Sequence, residues 1–244
     1  MGAATALLTC LWAWYGRDRP AENPSVNAAE LALIGPTRAA AARRIGGGAF
    51  RALLRNRSLL FLTANYAAVG YYEYTLFYWM KYYFSDVLKY EQLTSRYFTS
   101  VVTSAMVAAM PLGGILSDRL VRLWGYRAGR ASVPVFGMLA SAVFLAVATH
   151  AQGQVAVVAL FFLAHAAIGL CEAPTWVAGL EIGRNCCGTS GAIVNTGGNL
   201  GGLLAPVVTV YVAEHYGWGA GFFMASLVCL SGVMLWLGIR LEQP

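Results

Sequence analysis

The sequence predicts an all-α membrane protein in which six membrane-spanning helices follow a basic linker. Hydrophobic residues make up 58% of the 244 residues and charged residues only 11%, whereas soluble domains carry about 25% charged residues. The charges lie between long apolar segments, and each of these segments is long enough to cross a bilayer. The six segments cover residues 59–82, 97–117, 131–149, 155–178, 190–212 and 219–239.

The chain begins with a shorter apolar run over residues 3–15. A span needs about 20 residues, so this run is too short to cross a membrane alone. No lysine or arginine precedes it, and Arg17-Asp18-Arg19-Pro20 follows it, which argues against a signal peptide. We expect residues 1–16 to be the tail of a truncated transmembrane helix.

A polar linker occupies residues 17–57, with eight arginines against three acidic residues. Residues 27–33 could form a short surface helix within it. The positive-inside rule explains the arginines, and binding to lipid headgroups is the alternative. We therefore predict a basic cytoplasmic linker at 17–57 and a six-helix unit at 58–244.

The distribution of lysine and arginine predicts the orientation in the cell membrane. Fourteen of the 17 fall on the side of the linker and the C-terminus, and three on the other side. We therefore expect both the linker and the C-terminus to be cytoplasmic. Because the net charge of +6 comes from arginines dispersed between apolar segments, nucleic acid is not an expected partner. The five cysteines lack metal-ligand spacing, so we predict no metal and no cofactor.

Residues 188–206 form a glycine-rich segment that continues into an apolar run. Gly197 and Gly201 are four residues apart, a spacing that allows membrane helices to approach closely. Asn195 and Asn199 have the same spacing, so one face of the helix carries two amides. We expect that face to meet protein or a watery cavity, because an amide facing lipid is costly.

Two other predicted spans carry ionisable residues. Glu73 lies about two thirds of the way along segment 59–82, seven residues after Tyr66 and on the same face. Segment 155–178 carries His165 and Glu172 with the same seven-residue spacing, followed by Pro174. An ionisable group inside a span indicates a functional site. The alternatives are a glutamate hydrogen-bonded inside the bundle and a purely structural proline kink.

Residues 113–130 resemble the cytoplasmic loop motif of the major facilitator superfamily, with Gly114-x-Leu116-x-Asp118-Arg119 at its core. The resemblance implies a conformational-switch motif. In it Gly114 allows two helices to approach, Asp118 caps a neighbouring helix and Arg119 reaches an acid at another helix end. Glu181 is the candidate acid. We expect Arg127 to belong to the same motif.

The pattern Gly191-x3-Asn195-x3-Asn199-Leu-Gly-Gly202-x3-Pro206 resembles the anion:cation symporter branch of that superfamily. The resemblance implies secondary active transport of small organic anions, such as sugar acids and other carboxylates, coupled to protons. Members of the family have twelve helices in two halves, and this chain is similar to the C-terminal half. An N-terminal half is therefore an expected partner, alongside the lipid bilayer. The alternative is a non-transporting fragment or membrane subunit.

The resemblance also implies a substrate-binding site on this half. Asparagine and threonine would bond the substrate's hydroxyl groups, and tyrosine and tryptophan would stack on it. Because no arginine lies inside a predicted span, no bidentate carboxylate clamp is expected. The predicted site residues are Tyr66, Glu73, Thr175, Trp176, Asn195 and Asn199.

An enzyme is the rival class. Gly188-Thr-Ser-Gly191 resembles the G-x-S-G sequence of six-helix intramembrane serine proteases. Such a protease needs a histidine near the serine. His215 lies 25 residues after Ser190, or about 37 Å along a helix, and His165 lies on a segment without a protease motif. We therefore predict that the chain is not an enzyme.

Overall fold

The computed structural model describes residues 2–17, 19–34 and 47–241, and all the regular secondary structure in these ranges is helical. A single π-helical turn follows the fourth helix at Tyr83–Val87. The α-helices are α1 Gly2–Tyr15, α2 Ala28–Ile34, α3 Gly47–Arg55, α4 Arg57–Tyr82, α5 Gln92–Trp124, α6 Tyr126–Ala148, α7 Gln154–Gly183, α8 Cys187–Tyr216 and α9 Trp218–Trp236.

The chain divides into two compact units, residues 1–46 and 47–244. In the first unit, α1 matches the short apolar run and its side chains are exposed. The expected surface helix is α2, and the Asn27 side chain caps it by accepting a hydrogen bond from the backbone N–H of Glu30 over 2.8 Å. Residues 35–46 of the linker, which include Arg38, Arg43 and Arg44, lie outside the described residues.

The second unit is a helix bundle. Within the described part of the chain, the five helices α5 to α9 are both long and apolar enough to cross a membrane. The predicted first span, α4, has sufficient length at 26 residues, but it holds no 18-residue stretch as apolar as those of α5 to α9. Twelve of its residues are buried among neighbouring helices, so protein rather than lipid surrounds much of its surface.

Buried polar groups on α4 are bonded to the helices around it. The Asn65 amide donates to the Gly232 carbonyl oxygen of α9 over 2.9 Å. The hydroxyl of Ser141 in α6 donates to the Tyr72 hydroxyl over 2.8 Å. These bonds offset the cost of burying polar groups and fix the rotation of α4 in the bundle.

The glycines of α8 let it approach α4 closely, as the sequence predicted. A methyl group on Gly201 would overlap the Ala67 carbonyl oxygen, and one on Gly197 would overlap that of Thr63. On the other helix, a methyl group on Gly70 would overlap the Gly198 carbonyl oxygen. The two backbones therefore touch, and the amide face of α8 is held at a fixed angle to the Glu73 face of α4.

The segment predicted as a loop between the second and third spans is almost entirely helical. Gly125 alone separates α5 from α6, and its φ of 83° is a conformation that glycine adopts without strain. Asp118 therefore lies within α5, and Arg130 lies inside α6 and is buried. The apolar segments themselves hold no arginine, but α5 and α6 extend beyond them, so Arg119 and Arg122 lie inside α5 and Arg130 lies inside α6.

Candidate functional site

A cavity of about 540 Å³ opens between α4, α5, α7 and α8. Four of the six predicted site residues line it: Tyr66 and Glu73 from α4, and Asn195 and Asn199 from α8. The rest of its lining is one carboxyl group, three aromatic rings, two thioethers and two glycines. These residues are Glu172, Tyr74, Phe77, Tyr78, Met106, Met110, Gly70 and Gly198.

Three side chains form a hydrogen-bonded cluster at the cavity wall. The Tyr66 hydroxyl donates to Glu172 Oε2 over 3.0 Å. The Trp176 indole N–H lies 3.0 Å from the Tyr66 oxygen and 3.2 Å from the same Glu172 oxygen. Trp176 does not line the cavity but packs edge-on against the Tyr66 ring, with centroids 5.7 Å apart. Trp176 therefore orients the two residues that do reach the cavity.

Glu73 lies beside this cluster. Its carboxyl group lines the same cavity as that of Glu172, and Tyr66, which bonds Glu172, lies two turns earlier on the same face of α4. Both glutamate side chains are more than nine-tenths buried, at 8% and 7% exposure. The Oε1 atom of each has no hydrogen-bond partner among the described residues, which leaves both atoms available to a ligand.

The two asparagines of α8 are exposed to the cavity. The Asn199 side chain donates from Nδ2 to the Asn195 backbone oxygen over 2.8 Å. That bond fixes the amide's rotation, and its oxygen is left to accept from a ligand. Spacing of four residues on one helix therefore places both amides on the cavity wall, as the sequence predicted.

Thr175 is placed differently from the expectation. It is 1% exposed, does not line the cavity, and its hydroxyl has no partner among the described groups. Its neighbour on the cavity side of α7 is Glu172, one turn earlier. The same-face pairing of His165 with Glu172 was a signal for this residue, although His165 itself is fully buried against Phe77.

The predicted site did not include the apolar and aromatic lining. Tyr74, Phe77 and Tyr78 follow Glu73 on α4, and the spacing of three and four residues from Tyr74 places them together. Met106 and Met110 are four apart on α5 and complete the wall. The regular spacing on each helix was a usable signal, but core packing produces the same pattern.

A second polar cluster joins α5, α6 and α7 at one end of the bundle. Arg130 Nη1 donates to Asp118 Oδ1 over 2.9 Å, and Arg130 Nη2 lies 3.7 Å from Glu181 Oε1. The Tyr126 hydroxyl donates to Glu181 Oε2. The Arg130 guanidinium also lies over the Tyr126 ring, 5.7 Å from its centroid.

The cluster differs from the predicted motif in its arginine and in its glycine. Arg119 and Arg127 are exposed, and Arg130 makes the contact with Glu181 that was expected of Arg119. Asp118 accepts from that arginine rather than capping a helix. The closest helix approach occurs at Gly113, where a methyl group would overlap the Leu170 carbonyl oxygen, and not at Gly114.

The serine of the protease-like sequence has a structural contact. Ser190 is fully buried, and its hydroxyl donates to the Gly179 carbonyl oxygen over 2.6 Å. In the described structure no histidine bonds to it. A hydroxyl held by a backbone carbonyl is not activated as a nucleophile, so the enzyme alternative finds no support in this arrangement.

Comparisons with known proteins agree with this architecture. The chain is 30% identical over 221 residues to the probable sulfoacetate transporter SauU of Cupriavidus necator, covering 89% of this chain and 50% of the relative. It is 26% identical to the probable galactarate/D-glucarate transporter GudP of Bacillus subtilis, covering 93% of this chain and 51% of the relative. The chain thus spans about half the length of these curated relatives.

A solved structure shares the fold. The peptide transporter POT (E310Q mutant), crystallised in complex with alafosfalin, matches with a TM-score of 0.64 and 19% identity, over 74% of this chain and 38% of that chain. The family model of the Major Facilitator Superfamily matches residues 1–183. These similarities are to transport proteins rather than enzymes, and with the membrane-spanning helices they describe a multi-pass membrane protein. The chain belongs to the major facilitator superfamily.

Proposed function

We propose that this chain supplies the C-terminal half of a secondary transporter that moves small organic anions, such as sugar acids and other carboxylates, together with protons. Transport proceeds by alternating access, in which two helix bundles rock around a central site. A second, N-terminal half completes the site. The observation that carries the proposal is the cavity between α4, α5, α7 and α8, with two amides and a tyrosine–glutamate pair on its wall.

The lining suits a polyhydroxylated substrate. The Asn195 and Asn199 amides bond its hydroxyl groups, and the rings of Tyr66 and Tyr74 cover its apolar faces. Among the described lining residues there is no cation. The substrate's carboxylate is therefore bound by the other half, and this half selects the remainder of the molecule.

The relatives support an anionic substrate. Their names include transporters of sulfoacetate and of galactarate or D-glucarate, all small organic anions. Their length supports a second half, because this chain covers 50% and 51% of these two proteins.

The Asp118–Arg130–Glu181 cluster acts in this proposal as the conformational switch at the cytoplasmic end. It ties α5, α6 and α7 together while the cavity is closed to that side, and its separation permits rocking. The linker and the C-terminus are cytoplasmic in the same arrangement, as the positive-inside rule predicts.

The test is uptake into proteoliposomes. The chain is reconstituted alone and together with the N-terminal half of the sulfoacetate transporter relative, and radiolabelled sulfoacetate and galactarate are offered with an inward proton gradient. We expect uptake only when both halves are present. Robust uptake by the monomeric chain alone would contradict the proposal, and absence of uptake in every combination would favour a non-transporting fragment.

A further inference from the structure

The charge of the cavity conflicts with an anionic substrate. Two carboxyl groups, Glu73 and Glu172, line it, and none of its described lining residues is a lysine, arginine or histidine. An anion that entered would be repelled by both carboxylates, and the repulsion is strong where water is scarce. A positive charge must therefore accompany the anion.

The geometry of the two glutamates shows where that charge fits. Glu172 Oε2 accepts from the Tyr66 hydroxyl over 3.0 Å and lies 3.2 Å from the Trp176 indole nitrogen. The neighbouring Glu73 has no such donors, and Oε1 of each carboxyl group lacks a partner among the described groups. Buried polar atoms are nearly always satisfied, so the pair lacks one donor or one cation.

We propose that Glu73 and Glu172 form a single-cation site, that the cation is a proton, and that Glu73 carries it. The Tyr66 and Trp176 donors stabilise Glu172 as the carboxylate. Glu73 takes up the proton to become a carboxylic acid, and its O–H donates to Glu172. This site deepens the proposed function and rests on it.

The other described titratable groups around Glu73 do not supply a positive charge that could take the place of this proton. They come from α4, α7 and α9, whereas α5 and α8 present thioethers and amides to the cavity. All of them are neutral when protonated, apart from His165, whose ring faces Phe77. These groups are Tyr66, Tyr72, Tyr74, Tyr78, His165, Cys171, Glu172 and Cys229.

Occupancy of the site couples the proton to the anion. With the proton bound, the pair carries one negative charge instead of two, and an anion in the cavity meets less repulsion. A difference of one unit charge at about 6 Å corresponds to about a hundredfold in affinity at an effective dielectric constant near 20. The proton and the anion therefore bind cooperatively, and each raises the affinity of the cavity for the other by the same factor.

A proton fits the site better than a metal cation. Sodium requires several oxygen ligands, whereas the pair offers one buried, unpartnered oxygen from each carboxyl group, which suits a single shared proton. The ammonium group of a zwitterion is the other cation that two carboxylates and aromatic rings would attract. Replacement of sodium and competition by zwitterionic amines distinguish these cations from a proton.

The first experiment needs no transport. Infrared difference spectra of the full chain in nanodiscs are recorded as the pH is lowered from about 9 to about 5. This range starts well above the ordinary pKa of a glutamate side chain. We expect a buried carboxylic-acid band that Glu73→Gln abolishes and that Glu214→Gln, an exposed glutamate of α8, retains. An unchanged band in Glu73→Gln would overturn the assignment. Glutamine is isosteric with glutamate, so we expect the variant to fold. A circular dichroism spectrum that matches that of the unsubstituted protein confirms this.

The second experiment uses the two-half transporter. Glu73→Gln mimics the protonated acid, so we expect it to retain counterflow exchange of the anion and to lose proton-driven accumulation by at least about tenfold. Replacing sodium with choline should change nothing, and zwitterionic amines should not compete. Sodium dependence, amine competition or undiminished accumulation would overturn the proton site. Absence of counterflow in the unsubstituted protein would instead contradict the proposed function. The infrared experiment would still test whether Glu73 binds a proton.

Discussion

Arg130 of α6 donates a hydrogen bond from Nη1 to Asp118 Oδ1 of α5 over 2.9 Å. The arginine side chain is 9% exposed, whereas that of the aspartate is 60% exposed. The same guanidinium reaches Glu181 of α7 at 3.7 Å. One buried cation therefore holds the ends of three helices, although exposure of its first partner weakens the ion pair itself.

Replacing this arginine by methionine should destabilise the bundle. Arg130→Met removes the charged hydrogen bond but leaves both acids partly in contact with solvent, so no charge is stranded in the core. We expect the free energy of unfolding to fall by about 1.5–3 kcal/mol, measured by thermal unfolding in detergent. Arg119→Met is the matched control, and because Arg119 is exposed its effect should stay within about 0.5 kcal/mol. Equal effects of the two substitutions would show that Arg130 is not the residue that links the helices.

The choice between these arginines illustrates what the sequence could and could not predict. Long apolar segments predicted the helices, because the bilayer sets their minimum length. The boundary of α6 was not predictable from apolarity, since its first turn, Tyr126 to Gly129, is polar and small. Once the helix begins at Tyr126, Arg130 lies inside it and turns toward α5 and α7. Arg119 remains on the exposed face of α5.

The residues of the binding cavity also include some that the sequence could predict and some that it could not. Spacing of four residues predicted that Asn195 and Asn199 share a face, because helix geometry alone decides this. Which face of α7 meets the cavity depends on how α7 packs against α5 and α6, and the sequence indicates it only through the same-face pair of His165 and Glu172. Glu172 therefore lines the cavity while Thr175, three residues later, lies in the core.

The contact between α4 and α8 should tolerate no side chain at Gly201. In Gly201→Ala the added methyl group would overlap the Ala67 carbonyl oxygen, which belongs to a helix backbone and cannot turn away. We expect a loss of about 1–3 kcal/mol in unfolding free energy, together with a lower anion affinity because α8 carries both cavity amides.

Gly188→Ala provides the control for this substitution. Gly188 lies in the first turn of the same helix, and a methyl group added there would meet no other atom within 4 Å. Alanine is the better helix former, so Gly188→Ala should leave stability unchanged or raise it by up to about 1 kcal/mol. A neutral Gly201→Ala would mean that the two helices are farther apart than described.

We expect Ser190 to have a structural role rather than a catalytic one. Ser190→Ala removes the hydrogen bond to the Gly179 carbonyl oxygen, so we expect a loss of about 0.5–1.5 kcal/mol in unfolding free energy. Cleavage of a membrane-embedded reporter substrate should be absent both before and after the substitution. Reporter cleavage that disappears in Ser190→Ala would restore the intramembrane protease alternative.

Asn199 should contribute directly to anion affinity, because its amide is oriented by the bond from Nδ2 to the Asn195 backbone oxygen and its carbonyl oxygen remains free for a substrate hydroxyl. Asn199→Ala removes one hydrogen bond to a bound sugar acid, a change worth about 1 kcal/mol, or about fivefold in Kd. Thr196→Ala is the matched control, since Thr196 is exposed on the same helix, is absent from the cavity lining and bonds only to the Ala192 carbonyl oxygen. Titration calorimetry of the two-half transporter with galactarate and with sulfoacetate distinguishes hydroxyl recognition by the amide from a contribution to the shape of the cavity. A loss for galactarate alone indicates hydroxyl recognition, because sulfoacetate has no hydroxyl group to bond, whereas an equal loss for both anions would assign Asn199 to the general shape of the cavity.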